Sequence, residues 1–222
     1  MVDLGRSFYA PQSFADDRGR RIMFGWLREG RGGEAQRAAG WSGVMSLPRV
    51  LSLEPDGTLG MAPAPELRAL RGKHHHWSDV AITPASSSPL AEVQGAYLEI
   101  MAEWDRCDAS DFGLRVRCSP DNAEETLIVF SPAERQLRID RGRSSLSPDA
   151  DDAPRGGAVE LGESERLRLN VFLDGSVVEV FANGRACLTE RIYPTRPDSL
   201  GLGLFARGDT ARLAALDIWE MG

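Results

Sequence analysis

Few side chains in this sequence combine the type and spacing that chemistry requires. Adjacent acids stand at Asp16-Asp17, Glu124-Glu125 and Asp151-Asp152. Paired carboxylates can divide the work of acid and base, but only where burial or a like charge pushes their pKa values apart. All three pairs fall in expected turns or loops, where carboxylates are solvated, so no catalytic role is assigned to them. Lys73 precedes three consecutive histidines, His74, His75 and His76. Imidazoles bind metal, but neighbours on a strand point to opposite faces, and no acid or cysteine lies at ligand spacing. The run reads as a solvated linker, with no metal site. Glu179 differs from these acids, because it stands mid-strand on the less apolar face. A buried carboxylate needs a partner, and Arg168 or Arg191 is the expected one. Cys107, Cys118 and Cys187 form an odd set without a CxxC pair. They read as reduced thiols, with one disulfide plus one free thiol as the alternative. No glycine-rich phosphate loop, GxSxG elbow or HExxH occurs, and no cofactor is expected.

The elements that would position such groups are strands. Leu167–Pro194 carries the clearest pattern, three strands joined at Asp174-Gly175 and Asn183-Gly184, dipeptides suited to type I′ turns. A two-residue loop at Asp174-Gly175 sets Val171 opposite Val178 and Leu169 opposite Val180. One face is then aliphatic, and the other carries Arg168, Asn170, Val177, Glu179 and Phe181, as in a half-buried antiparallel sheet.

Upstream, Phe8–Phe14, Arg20–Leu27, Ser42–Leu53 and Thr58–Met61 are strand candidates, with Pro48 marking an edge or bulge. Arg28–Gly40 lacks periodicity and reads as a loop. Four short strands match one β-propeller blade, which cannot bury both of its faces alone. Ala62–Gly72 reads as a connector with a helical turn. Beyond it come Trp77–Thr83, Val93–Trp104, Phe112–Cys118, Thr126–Ser131, Arg135–Arg141, a polar loop over 142–157, the meander, Ser199–Arg207 and Ala211–Glu220. Short strands separated by turn residues indicate a β-sandwich.

The ordered segments FYAPQSFADDRGRRIMFGW, GWSGVMSLPRVLSL and ELRALRG resemble the end of the propeller in glycoside hydrolase family 32, the β-fructofuranosidases. FGLRVRCS, LRIDRGRSS, LDGSVVEVFANGR and TERIYP resemble that family's C-terminal sandwich. The resemblance implies an all-β fold, with a partial propeller of about one blade and connector over 1–72. An antiparallel, concanavalin-like two-sheet sandwich follows over 73–222. It also implies a retaining glycosidase lineage, acting on sucrose or fructans through two carboxyl groups about 5 Å apart. The family draws these from Asn-Asp-Pro and Glu-Cys motifs, with an Arg-Asp-Pro stabiliser. This sequence contains no Asp-Pro and no Glu-Cys dipeptide. No catalytic residue is therefore assigned, and these residues alone are expected to be inactive.

The positions that match the rim of the family's sugar pocket are Tyr9 and Trp41, which the resemblance implies as contacts to a fructose-containing saccharide. Packing within the blade is the alternative role for both. Ser7 stands where the family commonly has an Asp, which weakens a polar contact at that point. Two other function classes remain: a non-catalytic carbohydrate-binding module, and a structural subunit completing a propeller carried on another chain. The single blade's uncovered edges predict a homo-oligomer or a complex with a chain that supplies the other blades.

Composition narrows the partners further. The 222 residues carry a net charge of −7, with 42% hydrophobic and 27% charged residues, which is ordinary globular composition. The basic residues are scattered arginines, and Lys73 is the only lysine. Neither a nucleic-acid surface nor a basic patch for anionic lipid is expected. No run approaches the roughly 20 apolar residues of a membrane span, and no signal-peptide pattern is present, so a cytoplasmic location is expected.

Overall fold

The computed structural model describes residues 2–86, 88–162 and 164–222. Its first sheet is built from β1 (Phe8–Ala15), β2 (Arg21–Leu27), β3 (Val44–Met45), β4 (Arg49–Leu53) and β5 (Leu59–Pro63), in the order β1-β2-β4-β5 with β3 also on β2. The expected single strand over 42–53 is thus two strands on one edge of β2. The break at Ser46–Pro48 has a cause. The Ser46 N–H bonds the Gly25 carbonyl, while the Gly25 N–H donates to Ser46 Oγ, 2.9 Å away. Leu47 turns its N–H out of the ladder to donate to Glu179 Oε1 at 2.6 Å. The expected loop over 28–40 contains a short helix, α1 (Gly33–Ala39), closed by Gly40 at φ 78°.

A 3₁₀ turn at Pro65–Leu70 leads into the remaining strands. These are β6 (Arg71–Ile82), β7 (Tyr97–Trp104), β8 (Asp111–Cys118), β9 (Glu125–Ser131), β10 (Gln136–Arg143), β11 (Arg155–Ala158), β12 (Leu167–Asp174), β13 (Val177–Ala182), β14 (Ala186–Arg191), β15 (Gly201–Arg207) and β16 (Ala211–Met221). They form a five-stranded sheet, β11-β10-β9-β8-β15, facing a six-stranded sheet, β14-β13-β12-β7-β16-β6. Among the described residues, every strand pairing within these two sheets is antiparallel. The inner faces meet in one core around Trp104, Ile128, Leu137, Val171, Val180 and Leu213. The architecture is all-β, a two-sheet sandwich preceded by a blade-like sheet. Among the described residues, no helix is long and apolar enough to cross a membrane.

Three expectations about these strands need correction. The run Lys73–His76 is not a linker, because it lies within β6 and pairs with β16. The meander's register is offset by two residues from the expected one. Val171 faces Val180, and Leu173 faces Val178. The loop is Gly175-Ser176, with Gly175 at φ 56° in the first central position, which removes the steric cost of positive φ there. An offset of two leaves the same side chains on each face. At the second turn Asn183 and Gly184 both take positive φ, as type I′ requires, and the Arg185 N–H closes onto the Ala182 carbonyl at 3.0 Å.

The meander is also not half-buried. All six residues of β13 are buried. Its aliphatic face lies in the sandwich core, while Phe172, Phe181 and Cys187 on the opposite face pack against Met23 and Met61 of the first sheet. All three cysteines are free thiols, and burial pushes the Cys187 thiol up to about 12. That removes its thiolate, and with it thiol reactivity, at neutral pH.

Candidate functional site

The contact between the first sheet and the sandwich is built around a buried cation. Arg49 on β4 is fully buried. Its guanidinium reaches Asp3 Oδ2 at 2.9 Å, Glu179 Oε2 at 2.8 Å and Thr189 Oγ1 at 2.7 Å, and it lies 4.0 Å from the centre of the Phe8 ring. Glu179 therefore pairs across the interface, with neither Arg168 nor Arg191. Burial pushes its carboxyl pKa up, against the pull of Arg49 and the Leu47 N–H. Arg191 is committed elsewhere, to Ser176 Oγ at 2.8 Å and the Leu27 carbonyl at 3.4 Å. Ser7 belongs to the same interface: its hydroxyl donates to Glu190 Oε2 at 3.1 Å and accepts from the Arg191 N–H at 3.2 Å.

The loop after β2 supplies the second feature. Glu29 is nearly buried, and Arg31 grips it with Nε–Oε1 and Nη2–Oε2 contacts of 2.9 Å. Burial raises the Glu29 pKa, but hydrogen bonds from Arg31 and Tyr193 outweigh it and hold the carboxyl at about 2. A group so firmly ionised cannot serve as a general acid at neutral pH. Its effect is to orient Arg31, which lies 4.5 Å from the Trp41 ring and 5.1 Å from the Tyr193 ring. The Tyr193 hydroxyl in turn accepts the Gly30 N–H at 2.8 Å.

Together these residues wall a cleft of about 460 Å³ lined by Arg31, Trp41, Tyr97, Arg117, Ser176 and Tyr193, among others. Trp41 is 43% exposed and Tyr97 57% exposed. Aromatic faces with guanidinium groups between them can stack on a sugar ring and hydrogen-bond its hydroxyls. The cleft combines the segment between β2 and β3 with turns and strand ends of the sandwich, which is why Tyr97 and Tyr193 are not legible beside Trp41 in the sequence. Glu29 sat in a stretch without periodicity. The TERIYP motif, which holds Arg191 and Tyr193, was the available signal.

Tyr9 does not share that cleft. It stands on the outward face of the first sheet, 48% exposed, directly across from Trp26 with ring centroids 6.3 Å apart. Arg28 covers it at 4.1 Å. Trp26 links the two positions indirectly: it also packs on Gly43, where an added Cβ would come within 2.1 Å of the indole Nε1. Gly43 takes a φ of 72° besides, so only glycine suits this approach.

The remaining acidic candidates are structural. Asp16 pairs with Arg20 at 2.7 Å, and Asp151 with Arg141 at 3.0 Å. The pair at 124–125 is not solvated as expected. Glu124 and Glu125 are both buried. Glu125 binds Arg115 and Arg143, while Glu124 accepts hydrogen bonds from Thr195, Arg196, Ser199 and Leu146.

Comparison with known proteins places this architecture. Residues 66–220 match the family model for the glycosyl hydrolases family 32 C terminal, and residues 1–63 match that of the family 32 N-terminal domain. Sucrose-6-phosphate hydrolase of Escherichia coli is 33% identical over 230 residues, covering 100% of this chain and 44% of the relative. Raffinose invertase of Escherichia coli is 36% identical over 230 residues, covering 99% and 44%. The structure of fructan 1-exohydrolase IIa from Cichorium intybus superposes with a TM-score of 0.91 over 99% of this chain and 48% of that one, at 23% identity, a likeness of fold. The chain thus spans under half the length of the relatives it matches. With both of its sheet systems matched in order, the chain belongs to glycosyl hydrolase family 32.

Proposed function

We propose that these residues are the closing blade and C-terminal sandwich of a β-fructosidase acting on a fructose-containing saccharide such as sucrose or a fructan. The catalytic carboxyl groups come from blades outside this sequence. The observation that carries the reading is the asymmetry of the first sheet. One face is locked to the sandwich through Arg49, Asp3 and Glu179. The other presents Tyr9, Trp26 and Met45 in a cross-strand row, 48%, 40% and 59% exposed, with Phe14 stacked on Phe24 beside them. An aromatic sheet face of this kind suits the face of a further blade, on the same polypeptide, on a second copy or on a separate chain. The sandwich then acts as a buttress that fixes the blade's position relative to the sugar.

The purified 222-residue chain is expected to release no fructose from sucrose, inulin or levan above the uncatalysed rate. Clear turnover by this chain alone would refute the reading, because no carboxyl pair suited to retention is assigned within it.

The Trp41 cleft favours a second, compatible reading, in which the chain itself holds sugar. Calorimetric titration with sucrose and inulin oligosaccharides is expected to give a binding heat that Trp41→Ala weakens about tenfold, the loss of roughly 1.4 kcal/mol of stacking. Tyr9→Ala, on the outward face, is expected to leave that titration unchanged. The reverse pattern would move the sugar to the blade face.

A further inference from the structure

We propose that His74, His76 and Asp217 form a binding site for a divalent transition metal ion of the zinc class. His74 and His76 are two apart on β6, so their side chains leave the same face of the sheet. In the register with β16, His76 lies directly across from Asp217 and His74 from Trp219. The third donor thus comes from a strand more than 140 residues away, and no local spacing would reveal it.

The geometry is close to a coordination set. His74 Nε2 and His76 Nδ1 both lie 2.8 Å from Asp217 Oδ1, and the three donor atoms all fall within 4.8 Å of one another. Tetrahedral zinc, with bonds of about 2.0–2.2 Å, spaces its ligand atoms by roughly 3.3 Å. Each imidazole–carboxylate contact therefore opens by about 0.5 Å to admit the ion. Side-chain rotation suffices, because the side chains of His74, His76 and Asp217 are 45%, 52% and 28% exposed. The imidazole of His74 is also held in orientation. It stacks on Trp219 at 4.6 Å and 7°, and Arg71 covers the other region of that indole at 3.7 Å while anchored to Glu99 at 2.7 Å. Fixing the ring plane of a ligand in this way is what outer-shell groups do in metal sites.

Two imidazole nitrogens and one carboxylate favour zinc, copper(II) or nickel over calcium and magnesium, which require more oxygen donors. Three protein donors leave a fourth position open. Asp217 also borders a cleft of about 350 Å³ between the outer sheet face and Met61–Pro63 of β5. A water or an exogenous group can enter the open position from there. His75 points to the opposite face, toward Glu220 at 3.1 Å and the Trp77 ring, and takes no part.

The test is calorimetric titration of the full 222-residue chain with ZnCl₂, paired with the visible spectrum of its Co²⁺ complex. One equivalent of zinc is expected to bind and to raise the Tm. His76→Ala and Asp217→Asn are each expected to weaken binding by more than about 100-fold, beyond what the loss of an outer-shell partner costs. His75→Ala should bind as the parent does. The Co²⁺ complex should show d–d bands without thiolate charge transfer, a readout that needs no variant to fold. Absence of zinc binding, equal binding by the His76 and Asp217 variants, equal loss in His75→Ala, or a cysteine charge-transfer band would each overturn the proposal.

Discussion

Replacing Arg49 by Met is expected to destabilise the protein by about 3–5 kcal/mol and lower its Tm by roughly 6–20 °C. The substitution keeps most of the volume but removes the cation that pairs with two buried carboxylates, Asp3 and Glu179, both on side chains no more than 3% exposed. Each then loses its ion pair, and Thr189 Oγ1 loses a partner. The size of the effect follows from leaving charge buried without compensation, not from the intrinsic value of the pair. Burial already pushes the Glu179 carboxyl up, and losing Arg49 pushes it further. The sign follows from linkage. A folded-state pKa raised above its unfolded value means the folded state takes up a proton first, so this contribution to stability is present at low pH and lost as pH rises. The penalty of Arg49→Met should therefore be largest near neutrality and shrink as Glu179 protonates. Urea unfolding at several pH values measures it. Limited proteolysis reports where the damage lies, since release of the blade should expose the connector around Pro63–Leu70 before the sandwich is cut. A variant as stable as the parent at neutral pH would show that the buried network does not hold the two units together.

Glu124→Gln is expected to cost about 3 kcal/mol at pH 7, an effect that fades with acidification. Glu124 joins three separate segments. Oε1 accepts from the Thr195 N–H at 2.8 Å, its hydroxyl at 2.7 Å and the Leu146 N–H at 2.9 Å, and Oε2 accepts from Ser199 Oγ at 2.6 Å and the Arg196 N–H at 3.1 Å. Burial raises the pKa of this carboxyl, but these donors, led by Ser199, outweigh it and bring it to about 2 from 4.5. Here the sign is opposite to that of Glu179. A depressed folded-state pKa contributes stability that is present above about 4.5 and lost as pH falls towards 2. Glutamine approximates the protonated acid, accepting through one atom while presenting an amide to donors at the other. The difference between parent and variant should thus be greatest above about pH 5 and narrow steadily below it. A difference that stays constant with pH would mean the loss is one of packing, unconnected to charge.

These two acids show where sequence reasoning reaches and where it stops. Glu179 stood out because a carboxylate mid-strand on an apolar meander is an anomaly in a period-two pattern. The pattern identified a buried group that needs a cation. It could not identify which cation, because Arg49 lies 130 residues away on another sheet. Glu124 gave no such signal. An acidic pair next to a turn resembles solvated surface, and its burial depends on the 195–199 segment folding over it. The outer face of the meander misled for the same reason. Its Arg168, Asn170, Val177, Glu179 and Phe181 read as the open side of a half-buried sheet, but the blade's Met23 and Met61 cover Phe181 together with Phe172.

What the sequence by itself determined is the all-β character, the Asn183-Gly184 turn, the aliphatic face of the meander and the family resemblance. All of these rest on local alternation and on residues with restricted φ, properties that do not require a distant partner. The resemblance also singled out Trp41 and Tyr9 as candidates and made plain that the family's carboxylate motifs are missing from these residues. Tertiary structure alone decided which charges meet and which faces are covered. It put Trp41 in a cleft with Tyr97 and Tyr193 and left Tyr9 outside it. It also turned an apparent histidine linker into one strand of a donor set completed by Asp217. Ion pairs and coordination depend on distances of a few ångströms, and those distances are set by strand register between segments that a linear reading treats as unrelated.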